Sequence, residues 1–474
     1  MTTAESSRAL DRDRAEGDDF VRRPGPRLPP AWLYPAVIAV LGVGLWAFRL
    51  WSEQQHRAIR VRFKAPPIYG TYFFEWSWYG WIAVGGVIVF ALLTPRLLSP
   101  RLHTALFLPI TAAVATVLSY YVNMTRGSTY QLLRVLCTPG QCEHYGADVA
   151  VLRVVGVHKF VAGFPHEYRP LMTSVENRTH PPGALVVWNW IVETFGTGMR
   201  AAWFMAACTM LVVVAAWLLG YVAGGDRVGR VAALLVAVAP ATLLFGFTAM
   251  DGIYATLLSL SGACFLFALY RKSATLAALA GFALGMTSFV TYAAALIVVA
   301  CGITTILWTR DPKAILRALL PAAAGGLFAL VLLRVTVGFD LFASNSTVSR
   351  MAYSPRPLSY WAFGTPAVFL IFAGFATAGL ALIGMVTRRP PMTIVVLVGM
   401  LIFADLPRTI TGLQPGEIER TWLFVQPFFA AAAALAFVDW ERVSRLVRQY
   451  GIAAIVALGG LSAVLIQAFY DTNR

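Results

Sequence analysis

Continuous apolar runs of about 18–22 residues, the length that crosses a hydrocarbon core, recur along this chain. No other feature constrains its folding as tightly. A bilayer core offers no water to satisfy backbone N–H and C=O groups, so spanning segments are helices or closed barrels. A barrel would show short alternating segments instead. The expected fold is all-α: a polytopic helical membrane protein of about thirteen transmembrane helices. A long extracytoplasmic loop containing juxtamembrane helices interrupts them. Composition agrees, with 58% of the 474 residues hydrophobic and 13% charged.

The net charge of +15 reads as cytoplasmic turns facing anionic lipid, not as a nucleic-acid surface. Basic residues gather between the apolar runs: Arg227 and Arg230; Arg271 and Lys272; Arg310, Lys313 and Arg317; Arg388 and Arg389; Arg442, Arg445 and Arg448. Residues 1–31 are polar, Pro-rich and Arg-rich, without the apolar core of a signal peptide. They are expected to form a disordered cytoplasmic tail. N-terminal transmembrane helices follow over 32–122, the extracytoplasmic loop over 123–200, and a transmembrane helical domain over 201–474. This topology puts the N-terminus in the cytoplasm and the C-terminus outside a plasma membrane. Segments 228–247, 361–386, 392–405 and 421–439 are each expected to be one helix. Residues 184–195 are too short to span and are expected to lie at the interface.

The long loop is the main polar interruption of the chain. Its Cys137 and Cys142 flank Thr-Pro-Gly-Gln and are expected to close a local disulfide if the loop faces an oxidising space. Asp148 follows a turn at Tyr145-Gly146 and precedes Val149, Leu152 and Val155, which share one helix face. A carboxylate there can act as general base, hold a divalent cation such as Mg or Mn, or cap the helix. Glu143 is a second carboxylate nearby. The loop closes on Thr179-His-Pro-Pro-Gly, where prolines stiffen the re-entry. There His180 and Arg178 can meet a phosphate. Asp251 stands between two apolar segments, and an acid there must face protein or water. Late in the chain Gly416-Glu-Ile-Glu-Arg-Thr-Trp brings Arg420 to a helix start, which favours an anion, with Glu417 beside it. The topology gives these features one aqueous face. Asp148, Asp251, His180 and Arg420 are expected to converge in one outward cavity. No G-x-S-x-G elbow, Walker-type phosphate loop or H-E-x-x-H helix occurs.

Asp148 with Val-Ala-Val-Leu-Arg, the Pro-Pro re-entry, Pro240 within a helix and Asp251 opening the next together resemble the GT-C superfamily of polytopic glycosyltransferases. Protein mannosyltransferase-like and aminoarabinose transferase-like members are included. The 416–422 stretch is similar to one in actinobacterial members. The resemblance runs best over 123–272. Two extra helices precede the key loop, and the paired acidic signature of the family is absent. The resemblance implies a polyprenyl-phosphate-linked sugar donor used on the outer face. An acid such as Asp148 would deprotonate the hydroxyl of a cell-envelope acceptor. Arg420, His180 or Arg178 would stabilise the departing lipid phosphate. Two other classes remain open on the residues alone: a transporter of solutes or lipid carriers, and a non-catalytic cell-envelope scaffold. Charges clustered at one outer end, rather than at the bilayer midplane, favour the enzyme over the transporter.

Overall fold

The computed structural model describes residues 32–55, 66–68, 70–133, 145–247, 249–309, 311–348, 358–387, 418–437 and 445–471. Among them, seven helices are long and apolar enough to cross a membrane, or eight if one bent pair counts as a span. The tail at 1–31, the Cys137–Cys142 pairing, Glu143, segment 392–405 and Glu417 lie outside the described residues.

Burial sorts the helices. Leu33–Gln54 and Pro312–Val337 bury only 6% and 11% of their apolar windows within the protein, so most of their side chains are left for lipid. Asp251–Tyr270 buries 72% of its window and runs through the centre. Around it pack Ala274–Thr287, Val212–Gly224, Met199–Thr209 and Leu423–Val425.

Three expected single helices are broken. Segment 228–247 divides into Asp226–Ala237 and Pro240–Phe245. Pro240 lacks an N–H and its ring forbids continuation of the preceding helix, so it opens a new one. The short helix that follows is tied at its far end from outside: the Leu243 carbonyl accepts from Ser119 Oγ at 2.6 Å and from Asn123 Nδ2 at 2.9 Å. Segment 361–386 bends by 107° between Ala373 and Phe375. Gly374 sits there with φ +88°, a conformation that glycine adopts without a Cβ penalty. The segment after 418 comes as short helical pieces, Ile418–Thr421, Leu423–Val425, Gln426–Ala434 and Leu435–Phe437.

Side-chain bonds tie each end of the bundle. At one end Arg230 donates to the carbonyls of Leu97, Ser99 and Leu102 and pairs with Asp226 at 2.6 Å. This joins the turns after Trp78–Leu97 and Val212–Gly224, both expected inside. At the other end Thr71–Tyr72 pairs antiparallel with Tyr470–Asp471. Arg126 bridges the two segments by donating to Gln467 O at 2.7 Å and Phe73 O at 2.9 Å. The expected topology puts all three segments outside, and they meet at one end.

The long loop has its own apolar core. Phe160, Phe164, Trp188 and Ile191 from the loop bury against Met205, Phe247, Met250 and Tyr254 from the bundle. At about 25 cal/mol per Å² of apolar surface, such a core suffices to hold the loop as a cap over the helix ends. Residues 184–195 belong to the helix Pro182–Phe195, 14 residues long and opened by Pro182, as its length and prolines require.

Candidate active site

Five elements meet where the cap joins the bundle. A 3₁₀ turn, Tyr145–Asp148, leads into Val149–Val155. A short helix, Val175–Thr179, is capped by Ser174, whose Oγ accepts from Asn177 N at 3.2 Å. Pro182–Phe195 follows. The central helix begins at Asp251, and Ile418–Thr421 carries Arg420. Between them is a small cleft lined by Tyr145, Glu176, His180, Ala249, Met250, Asp251 and Arg420.

Two glycines bring these elements close. Gly183 N donates to Phe289 O at 3.0 Å, and a Cβ at Gly183 would stand 2.3 Å from that oxygen. The last residue of His-Pro-Pro-Gly thus docks the loop re-entry into the gap between Ala274–Thr287 and Ala294–Thr309. A Cβ at Gly252 would stand 2.2 Å from Thr209 Oγ1, so the residue after Asp251 lets the central helix touch Met199–Thr209.

The geometry separates the expected site residues. Asp251, His180 and Arg420 share the cleft wall. Arg420 Nε lies 2.9 Å from Asp251 Oδ2, and both side chains are mostly buried. Asp148 lies behind the wall, 3% exposed. Its Oδ1 accepts from Thr173 N at 2.8 Å and Thr173 Oγ1 at 2.7 Å. Its Oδ2 accepts from Ser174 N at 3.1 Å and Asn177 Nδ2 at 2.7 Å. It makes no side-chain cap to the helix it precedes. Four donors leave its carboxylate poorly suited to a metal ion, and among the described residues no group of three or more His, Cys, Asp or Glu could hold one. Arg178 lies off the cleft wall, donating to Thr173 O at 3.1 Å, while its own carbonyl accepts from the fully buried Arg169 at 2.7 Å.

Burial lowers the His180 pKa, against the pull of Asp251 and Glu176. The ring is therefore neutral near pH 7. With Nδ1 protonated it donates to Glu176 O at 3.0 Å, which leaves Nε2 an acceptor. Tyr145 is pushed the other way: burial, then the nearby Tyr254 and Asp251, hold its phenol well above the usual tyrosine range. Its hydroxyl lies 3.0 Å from that of Tyr254.

Glu176, Tyr145 and Tyr254 were not among the expected site residues. For Glu176 a signal existed, because it precedes His180 by four residues, a spacing that puts both on one helical face. Tyr254 stands three residues after Asp251 on the same helix. Nothing in the sequence marks Tyr145 as more than a turn residue.

No protein-family model matches the chain, and no curated protein matches it. Solved structures do. ArnT from Cupriavidus metallidurans bound to undecaprenyl phosphate superposes with a TM-score of 0.52 at 16% identity, covering 77% of this chain and 76% of that one. Oligosaccharyltransferase AglB from Archaeoglobus fulgidus, in complex with an inhibitory peptide and a dolichol-phosphate, gives 0.41 at 12% identity, covering 75% and 55%. The overlap with ArnT extends over most of both chains. The protein is a multi-pass membrane protein with the GT-C fold.

Proposed function

We propose that this GT-C-fold protein is a glycosyltransferase that moves a sugar from a polyprenyl-phosphate-linked donor to an acceptor hydroxyl on the outer face of the membrane. The observation that carries the reading is the Asp251–Arg420 ion pair in the wall of the cleft under the loop cap. The undecaprenyl phosphate bound to ArnT, whose fold is similar, supports the choice of carrier.

Arg420 binds the donor phosphate, for which a guanidinium is suited in charge and fork geometry. An arriving phosphate competes with Asp251 for that guanidinium. Asp251 is thereby released to accept the proton of the acceptor hydroxyl. The hydroxyl oxygen forms a bond to the sugar C1, the bond from C1 to the phosphate oxygen breaks, and the polyprenyl phosphate leaves with the electron pair. The proton remains on Asp251 until it passes to water. Positioned acid–base groups of this kind contribute roughly 10²–10⁴-fold to rate. Neutral His180 offers Nε2 as an acceptor for a sugar or acceptor hydroxyl. Asp148 acts through Thr173, Ser174 and Asn177, fixing the turn that carries Glu176 and His180. Glu143, two residues before Tyr145, and Glu417, three before Arg420, are proposed as further carboxylates of the same site. The acceptor is a cell-envelope glycan, lipid or protein.

The test is transfer of labelled sugar from a panel of polyprenyl-phosphate sugars in membranes, comparing wild type with Asp251→Asn and Asp148→Asn. Transfer by wild type that is lost in Asp251→Asn supports the assignment. Full activity of Asp251→Asn removes Asp251 as base. No transfer from any donor by correctly inserted wild type, with suitable acceptors present, favours the scaffold or transporter readings.

A further inference from the structure

The hydroxyls of Tyr145 and Tyr254 lie 3.0 Å apart, and each residue is 4% exposed. Two phenols carry two protons, and the bond between them uses one. Among the described residues these hydroxyls make no other hydrogen bond. Among the described residues one buried phenolic proton is therefore left without an acceptor, which costs free energy unless another group or a ligand satisfies it.

The surroundings indicate where that proton points. Tyr145 lines the cleft together with Asp251 and Arg420. Tyr254 stands behind it, on the helix that Asp251 opens. The His180 ring packs edge-on to Tyr145, with centroids 5.9 Å apart, and lies 5.4 Å from Tyr254. If Tyr254 donates to Tyr145, the bond both orients and polarises the second hydroxyl toward the cleft. The raised pKa of Tyr145 keeps it a donor throughout the physiological range.

The donor and acceptor inventory of the cleft selects the ligand atom. Asp251, Glu176 and the Nε2 of His180 are acceptors, and they suit the hydroxyls of a sugar or an acceptor. A phosphate has only acceptor oxygens. Among the described residues the side-chain donors in the wall are the Arg420 guanidinium and the Tyr145 phenol, since Nδ1 of His180 is used on the Glu176 carbonyl. Building on the polyprenyl-phosphate reading above, we infer that Tyr145 donates to a non-bridging oxygen of the donor phosphate beside Arg420, and that Tyr254 is the positioning residue that aims it. The phenol keeps its proton throughout.

The experiment measures binding to the full-length protein in nanodiscs, with undecaprenyl phosphate as probe and undecaprenol, which lacks the phosphate, as control. Tyr145→Phe keeps the buried ring. It is expected to weaken undecaprenyl phosphate binding about tenfold, the usual effect of losing a hydrogen bond to a charged group, and to leave undecaprenol unchanged. Tyr254→Phe is expected to weaken the phosphate-bearing lipid by about two- to threefold, the scale of losing a polarising partner. If Arg420→Ala loses phosphate-dependent binding while Tyr145→Phe retains it in full, the phenol's role is overturned and the carrier reading survives. If Tyr145→Phe weakens both lipids equally, the residue is structural and the inference is overturned. If wild type does not prefer undecaprenyl phosphate to undecaprenol, the carrier reading fails and this inference with it.

Discussion

The Nε of Arg420 lies 2.9 Å from Oδ2 of Asp251, joining a short late helix to the start of the central one. In the proposed reaction this pair has to part before either group acts. Asp251→Asn removes the competing charge while keeping the shape. It is expected to abolish most transfer, by roughly 10²–10⁴-fold, while leaving undecaprenyl phosphate binding equal to or tighter than wild type. Assays of transfer and binding on one preparation check this. Weaker lipid binding by the variant would contradict the competition.

Asp148 receives four hydrogen bonds from the 173–177 turn. Asp148→Asn would turn an amide donor toward groups that already donate. A buried donor left unsatisfied costs about 1–3 kcal/mol, and two or more are at stake. The variant is expected to unfold at lower temperature by thermal scanning in detergent. In correctly inserted protein its transfer should fall less than that of Asp251→Asn. An unchanged melting temperature would argue that the turn is held by other contacts.

Gly183→Ala and Gly252→Ala each put a methyl within 2.3 Å of a neighbouring oxygen. Overpacking of this kind costs about 1–3 kcal/mol. Here it should also displace His180 and Asp251 from the cleft. Gly198→Ala, with nothing within 4 Å and an extended backbone, is the control. The first two should lose transfer beyond what their lower melting temperature explains, and the third should match wild type.

The lowered pKa of His180 has a sign that can be checked. A folded-state pKa below the unfolded value means that folding favours the neutral ring. The contribution is present above the unfolded pKa, about 6.5, and is lost as pH falls through the folded value. Wild type should lose stability as pH falls from about 6.5 toward the folded value, and His180→Gln should lose less. Parallel pH profiles of melting temperature for the two proteins would refute the assignment.

The sequence made the fold class legible because lipid enforces it: apolar length, basic turns and the polar loop each follow from bilayer physics. Helix breaks were harder to read. Pro240 was visible, yet the early end of the helix that it opens involves Ser119 and Asn123, which satisfy the Leu243 carbonyl from a distant segment. Gly374 looked like any glycine in an apolar run, and only its packing forces the bend. Of the four residues expected to converge, Asp251, His180 and Arg420 do so because each stands at a helix end on the same side of the bundle. Asp148 looked equally exposed to solvent by its position after a turn. Its burial depends on the backbone of Thr173 and Ser174, 25 and 26 residues later, which no local pattern reveals. The Tyr145–Tyr254 contact joins residues 109 apart and has no signature in either neighbourhood.

The clasp of Arg126 between Thr71–Tyr72 and Tyr470–Asp471 has a consequence for biosynthesis. Arg126 donates to a carbonyl that lies 341 residues further along the chain. At roughly 5–20 residues per second of translation, its partner emerges on the order of half a minute later. During that interval the guanidinium has Phe73 O but not Gln467 O, and the Thr71–Tyr72 edge lacks the strand it pairs with in the finished protein. The nascent helices must therefore rest in the membrane with this end open, and registration of the two strands becomes a late event in maturation. A ribosome stalled before Gln467 would leave a chain whose helices had inserted but whose two edge strands had never paired.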